Sequence, residues 1–313
     1  MISKKYIEEA HERIQEFIHR TPVMTSDLLN EISGCRLFFK CENFQKIGAF
    51  KIRGAMNAAL QIPHDKLMNG LATHSSGNHA QAIALAAKLL GTKAYIVMPD
   101  NSPEVKINAV KGYGAEITFC KPNLRAREDT MKIVLDRTGA EFIHPYNDER
   151  IIAGQATCAK ELIEDTDTLD FITAPVGGGG LLSGTSLSAK YFGNGINVYA
   201  GEPEGAADAV LSFKSGKVEN APYINTIADG LLTTLGDVTL KIVRENVCDI
   251  LTVNDDEIIS AMRLIYERLK IVVEPSAAVP FAAVLKNKEL FKCKNAGIIL
   301  SGGNVDFRIF SRF

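Results

Sequence analysis

Residues 171–192 read FITAPVGGGGLLSGTSLSAKYF, a run of four glycines set between two largely apolar segments. Phe171–Val176 is an apolar run without polar alternation, the pattern of a strand covered on both faces. Leu181–Phe192 has the length and composition of a helix. Between them stand four consecutive glycines, Gly177, Gly178, Gly179 and Gly180. Without Cβ atoms they let successive N–H groups converge on one anion at a helix N-terminus. The simplest reading is a phosphate cradle, and the plain alternative is a flexible turn. A P-loop is excluded, because Thr185 follows Gly184 with no lysine between them. The dinucleotide spacing GxGxxG fails as well, since Ser183 takes its last position.

The same strand–helix rhythm extends in both directions. Upstream, strands are expected at 37–40, 71–74, 94–98, 116–120 and 141–143, with helices at 5–18, 52–60, 79–90, 104–113, 125–137 and 151–164. Downstream, strands are expected at 197–200, 250–253 and 297–300, with helices at 256–270 and 277–285. Apolar strands alternating with helices predict an α/β fold with parallel sheets. Residues 70–146 form a compact run of such units and read as a smaller inserted domain. Residues 1–69 and 147–313 then make the larger one.

The chain has 313 residues, enough for a substantial core. A net charge of −2 gives no electrostatic reason to expect nucleic acid or an anionic membrane as partner. No apolar run reaches the roughly 18 residues a membrane span needs. The start, MISKKYIEEAHERIQEF, lacks an apolar signal core. The six cysteines are scattered, with no CxxC pair, and suit free thiols in a reducing compartment. A cytoplasmic location is the expectation.

A lone lysine is ordinarily a solvated surface charge, so Lys51 in KIGAFKIRG (46–54) gains meaning only from context. Four motifs stand in order: GAFKIRG (48–54), SSGNHAQA (75–82), VGGGGLLSG (176–184) and LSGGN (300–304). HPYND (144–148), AGQAT (153–157) and IADG (227–230) accompany them. In this set and order the chain resembles the fold-type II pyridoxal phosphate (PLP) enzymes, the tryptophan synthase β-like superfamily. Within it the chain looks most like the serine racemase and serine/threonine dehydratase group, over essentially its whole length. Ile47 and Ala156 depart from the threonine and glycine usual there, and neither carries chemistry.

The resemblance implies two three-layer α/β domains with mainly parallel sheets. It implies PLP held covalently on Lys51, which then acts as a base on one face of the substrate Cα. Phe50 would flank the cofactor ring, with core packing as the plain alternative. Gly177–Gly180 would hold the phosphate, Ser301 would face the pyridine nitrogen and Asn78 the phenolic oxygen. A serine in place of an aspartate does not enforce a protonated ring, which makes the cofactor a weaker electron sink. Ser75, Ser76, Gly77, Asn78 and His79 would bind the substrate carboxylate ahead of a helix, with His79 read mainly as a loop residue. Ser76 is the second acid/base expected of a racemase, where many threonine deaminases carry alanine; its plain alternative is a helix cap. Glu202, Asp208 and the Ala206 carbonyl are implied as a site for Mg2+, Ca2+ or Mn2+, a hard oxygen set. On spacing alone these acids read as ordinary surface charges.

The resulting expectation is a PLP-dependent serine racemase with L-serine dehydratase activity. The alternative is an L-threonine or threo-3-hydroxyaspartate ammonia-lyase; cysteine synthase fits less well, and a catalytically weak binding module is opposed by the intact motifs. A homodimer and a nucleotide effector belong to the same expectation. With the chain ending nine residues after Asn304, an appended amino-acid-sensing domain is not expected.

Overall fold

The computed structural model describes residues 2–102 and 104–313. Among the described residues ten strands are present: β1 (Val23–Met24), β2 (Arg36–Cys41), β3 (Leu71–His74), β4 (Ala94–Pro99), β5 (Glu116–Cys120), β6 (Glu141–Phe142), β7 (Phe171–Pro175), β8 (Asn197–Pro203), β9 (Asp249–Val253) and β10 (Asn295–Leu300). They form a six-stranded sheet in the order β1-β2-β10-β7-β8-β9 and a four-stranded sheet in the order β5-β4-β3-β6. Every pairing is parallel except β1 with β2. The α/β, mainly parallel architecture expected from the sequence is the one observed. β7 is buried along its whole length, as its unalternating apolar run requires.

Parallel sheets bind ligands beyond the carboxyl ends of their strands. Here the segments following β2, β3, β6, β7 and β10 carry Lys51, Ser75–His79, His144–Tyr146, Gly177–Gly180 and Ser301 respectively.

Two helices that begin at the site are set against each other by a third. Helix Lys51–Ala59 and helix Gly180–Phe192 both pack on helix Glu149–Glu164. The approach is close enough to require glycine: a Cβ on Gly154 would lie 2.6 Å from Cα of Gly54, and one on Gly184 would lie 2.6 Å from N of Ala156. Ala156 itself is fully buried at this crossing.

Beneath Lys51 lies a buried ionic network. Arg53 contacts Glu42 and Glu161 with each bond between 2.7 and 2.8 Å. Lys40 Nζ lies 2.7 Å from Glu161 and donates to the Thr21 carbonyl at 2.8 Å. Removing one member of such a network costs roughly 3–5 kcal/mol, because it leaves a buried charge unpaired. The network anchors the first turn of the helix that Lys51 opens.

Several elements differ from the sequence reading. Helices Asp27–Ser33, Asp208–Ser215 and Asp237–Asn246 add to those expected. The first is short but marked, with Ser26 capping its start and Gly34 (φ 74°) its end. The helix expected over 256–270 is α-helical only for Asp255–Leu264; a π-turn follows over Ile265–Leu269. Strand β1 has two residues, below what periodicity detects.

Candidate active site

A cavity of about 1250 Å3 opens between the two sheets. Phe50, Lys51, Ser75–His79, Gly177–Gly180 and Ser301 all line it. Lys51 donates from Nζ to the Pro145 carbonyl at 3.1 Å, and Nζ lies 5.1 Å from the centre of the Phe50 ring. Burial lowers the Lys51 pKa to about 8, against the pull of the Glu274 carboxylate. A lysine that is neutral in part near physiological pH is what a covalent anchor and proton acceptor needs.

The glycine loop is packed from outside. Gly178 and Gly180 both face Tyr146, and Gly179 (φ 86°) faces Leu235 and Thr239. The Thr239 hydroxyl donates to the Gly178 carbonyl at 2.9 Å. The loop ends as the N-terminus of the 13-residue helix Gly180–Phe192. The cradle thus combines glycine backbone with a helix N-terminus, which suits a phosphate. Ser301 is buried at the cavity wall, and its hydroxyl has no protein partner among the described residues. A free hydroxyl there fits a pyridine nitrogen.

Two expectations for the loop after β3 change. Gly77, not Ser76, caps helix Asn78–Leu89, and no side chain serves the cap. The Ser75 hydroxyl accepts from the Gly77 N–H at 3.2 Å, and the Ser76 side chain makes no hydrogen bond to any described residue. The capping alternative for Ser76 is therefore not realised. His79 is not a loop residue: it sits in the first turn of that helix and is buried. Its Nε2 meets the Ile143 carbonyl at 3.3 Å while Nδ1 has no partner, and burial holds its pKa well below the usual value.

The sequence reading assigns no role to several other groups in the cavity. Glu274 is only 5% exposed, and burial raises its pKa to about 7. Asn78 Nδ2 donates to both of its oxygens, at 3.0 and 3.2 Å. His144 stacks edge-on with Tyr146 at 4.7 Å between ring centres, and burial, then His74 and Lys51, push it down to about 4. Arg127, on helix Leu124–Thr138, lines the cavity without an ion pair among the described residues, and its Nε has no hydrogen-bond partner.

The backbone is strained four residues before Lys51. Ile47 has φ 64°, an outlier for a β-branched residue, of a kind that costs roughly 1–3 kcal/mol. That conformation presents its carbonyl to Asn304 Nδ2 at 2.7 Å.

Glu202 and Asp208 come together away from this cavity. Glu202 accepts from the N–H groups of Ala209 and Val210 at 2.6 and 3.0 Å, capping helix Asp208–Ser215. Both acids are buried rather than exposed, correcting the reading as surface charges. Burial raises Glu202 to about 8 and Asp208 to about 7, and Oδ2 of Asp208 has no partner. Ala206 is buried in the turn between them. Among the described residues no cluster of three or more His, Cys, Asp or Glu side chains forms a metal site, and no helix is long and apolar enough to cross a membrane.

Residues 14–302 match the family model of the pyridoxal-phosphate dependent enzymes. The chain is 52% identical over 299 residues to the β-hydroxyaspartate dehydratase of Paracoccus denitrificans, covering 95% of this chain and 94% of that one. It is 48% identical over 315 residues to the serine racemase of Dictyostelium discoideum, covering 99% and 97%. The maize serine racemase structure superposes with a TM-score of 0.95 at 45% identity, covering 98% of this chain and 95% of that one. The chain is accordingly a PLP-dependent enzyme and belongs to the pyridoxal-phosphate dependent family, as its motifs imply.

Proposed function

We propose that this enzyme is a serine racemase with L-serine dehydratase activity. The carrying observation is that Lys51, with its lowered pKa, and Ser76, with its uncommitted hydroxyl, open onto one cavity beside the glycine cradle. Bound PLP supplies the electron sink that acidifies the substrate's α-C–H bond. Lys51 takes the α-proton from one face of the substrate. Ser76 gives or takes a proton on the other. The loop of residues 75–79 would hold the substrate carboxylate at the start of its helix. Loss of the β-hydroxyl as water leads, after hydrolysis, to pyruvate and ammonia; return of a proton on the opposite face gives D-serine.

Gly177–Gly180 would hold the cofactor phosphate, Ser301 its ring nitrogen, Asn78 its phenolic oxygen and Phe50 its ring edge. Residues 70–146 would form the smaller domain that carries the substrate loop. Glu202, Asp208 and the Ala206 carbonyl would hold Mg2+, or Ca2+ or Mn2+; the buried Asp208 Oδ2, without a partner and near a second buried carboxyl, supports this reading. A homodimer, a nucleotide effector and a cytoplasmic location belong to this reading on the strength of the family resemblance.

Arg127 supports a second reading, as a threo-3-hydroxyaspartate ammonia-lyase. An unpaired guanidinium on the cavity wall suits a substrate with a second carboxylate, and the Paracoccus relative is named for such a substrate. Lys51→Ala tests both readings together. It should abolish the visible absorbance of lysine-bound cofactor and essentially all turnover; wild-type turnover without added amine would refute the site.

A further inference from the structure

Asn78 sits in a hydrogen-bond chain with a fixed direction. Asn304 Nδ2 donates to the Ile47 carbonyl at 2.7 Å and to Asn78 Oδ1 at 2.8 Å. Asn78 Nδ2 in turn donates to Glu274. Flipping the Asn78 amide would set its Nδ2 against the Asn304 donor and its Oδ1 against the Glu274 carboxylate. The chain therefore allows one orientation only. Its two ends lie far apart in sequence: Ile47, held at φ 64°, and Glu274, at the N-cap of helix Pro275–Lys286.

We propose that Glu274 is a positioning residue for the cofactor, acting through Asn78 to aim the second N–H of its amide into the cavity. Nδ2 carries two hydrogens, and Glu274 is its only partner among the described residues. The remaining hydrogen is free to meet an acceptor. The inference rests on the proposed reading that Asn78 meets the phenolic oxygen of PLP. An ionised carboxylate is a stronger acceptor than any neutral group, and it polarises the amide it holds. In that ionised form it accepts only and cannot tolerate the flipped amide; the form gains as pH rises through its raised pKa of about 7. Lys51, Asp229 and Lys106 are the charged groups whose fields reach Glu274. Lys106 is itself ion-paired with Asp229. Gly302 leaves room for the carboxylate, since a Cβ there would lie 2.8 Å from Oε1.

The test is a PLP titration of the cofactor-free protein, read by binding affinity and by the visible band of the bound cofactor. It compares wild type, Asn78→Ala, Glu274→Gln and the double variant. Glu274→Gln should weaken PLP binding by about tenfold, the scale of a lost hydrogen bond to a charged group, and should shift the band. The double variant should bind no more weakly than Asn78→Ala alone, because Glu274 works through that amide. Independent, multiplying losses would overturn the proposal, as would wild-type affinity and spectrum in Glu274→Gln. If Asn78→Ala behaves as wild type while Glu274→Gln does not, Glu274 meets the cofactor without Asn78, and the proposal is likewise overturned. A wild-type protein that shows no lysine-bound PLP band would instead sink the broader reading. Should Glu274→Gln not fold, Asn304→Ala reads the same chain from its other end, with weakened binding expected and additivity with Asn78→Ala as the overturning result.

Discussion

Tyr146 packs against Gly178 so closely that a Cβ at position 178 would lie 2.2 Å from the ring's Cδ1. The glycine is thus demanded twice, once by the anion its N–H would face and once by the ring behind it. Gly178→Ala should destabilise the protein by about 1–3 kcal/mol through overpacking and weaken PLP binding. Shrinking the ring in Gly178→Ala/Tyr146→Ala should restore part of the stability. Thermal melts of the three proteins check this; equal stability of Gly178→Ala and wild type would contradict the contact.

The carboxyls of Glu202 and Asp208 give the metal reading a pH signature. Both have raised pKa values, to about 8 and about 7. In the metal-free fold each binds a proton more tightly than in the unfolded chain. Their contribution to stability therefore falls as pH rises from the ordinary carboxylate range through those values. A cation needs both deprotonated, so the gain in melting temperature from added Mg2+ should be small at pH 5.5 and larger at pH 8. Glu202→Gln and Asp208→Asn should remove the gain. A Mg2+ effect that is the same in wild type and both variants would place the metal elsewhere.

On the second reading, Arg127 would separate the two substrates. Arg127→Leu should lower kcat/KM for threo-3-hydroxyaspartate by roughly 10–100-fold, the scale of a charge-assisted hydrogen bond, while changing that for serine little. Equal losses on both substrates would show that Arg127 acts on the fold or on a step they share.

The parts of the site that sit in one stretch of chain are legible in the amino-acid sequence. The glycine run marks a side-chain-free loop at a strand–helix junction, and the strand–helix rhythm implies the parallel architecture. The residues brought in from a distance are not legible there. Glu274 is 196 residues from Asn78, and nothing local marks it as more than an acid before a proline. Ile47 in a left-handed conformation runs against its own propensity, so its residue type argues for the wrong backbone. Arg127 has the sequence surroundings of any helix-surface cation, and only the fold sets it on a cavity wall. For Ser76 the resemblance implies an acid/base, while its place ahead of a helix reads equally as a cap. The cap is not made, because Gly77 takes that position.

That cap assignment sharpens the test of the central claim. Without a capping role, Ser76→Ala should leave stability unchanged, so any change in stereochemistry reports on chemistry alone. The measurement is chiral analysis of serine beside pyruvate release, on wild type and Ser76→Ala, starting from each enantiomer. Wild type should make D-serine from L-serine and pyruvate from both. The variant should lose L-to-D conversion and D-serine elimination by roughly 10²–10⁴-fold, the contribution of a positioned acid/base group, while elimination from L-serine survives. A wild type that makes no D-serine, or a variant that still racemises at the wild-type rate, would contradict the account.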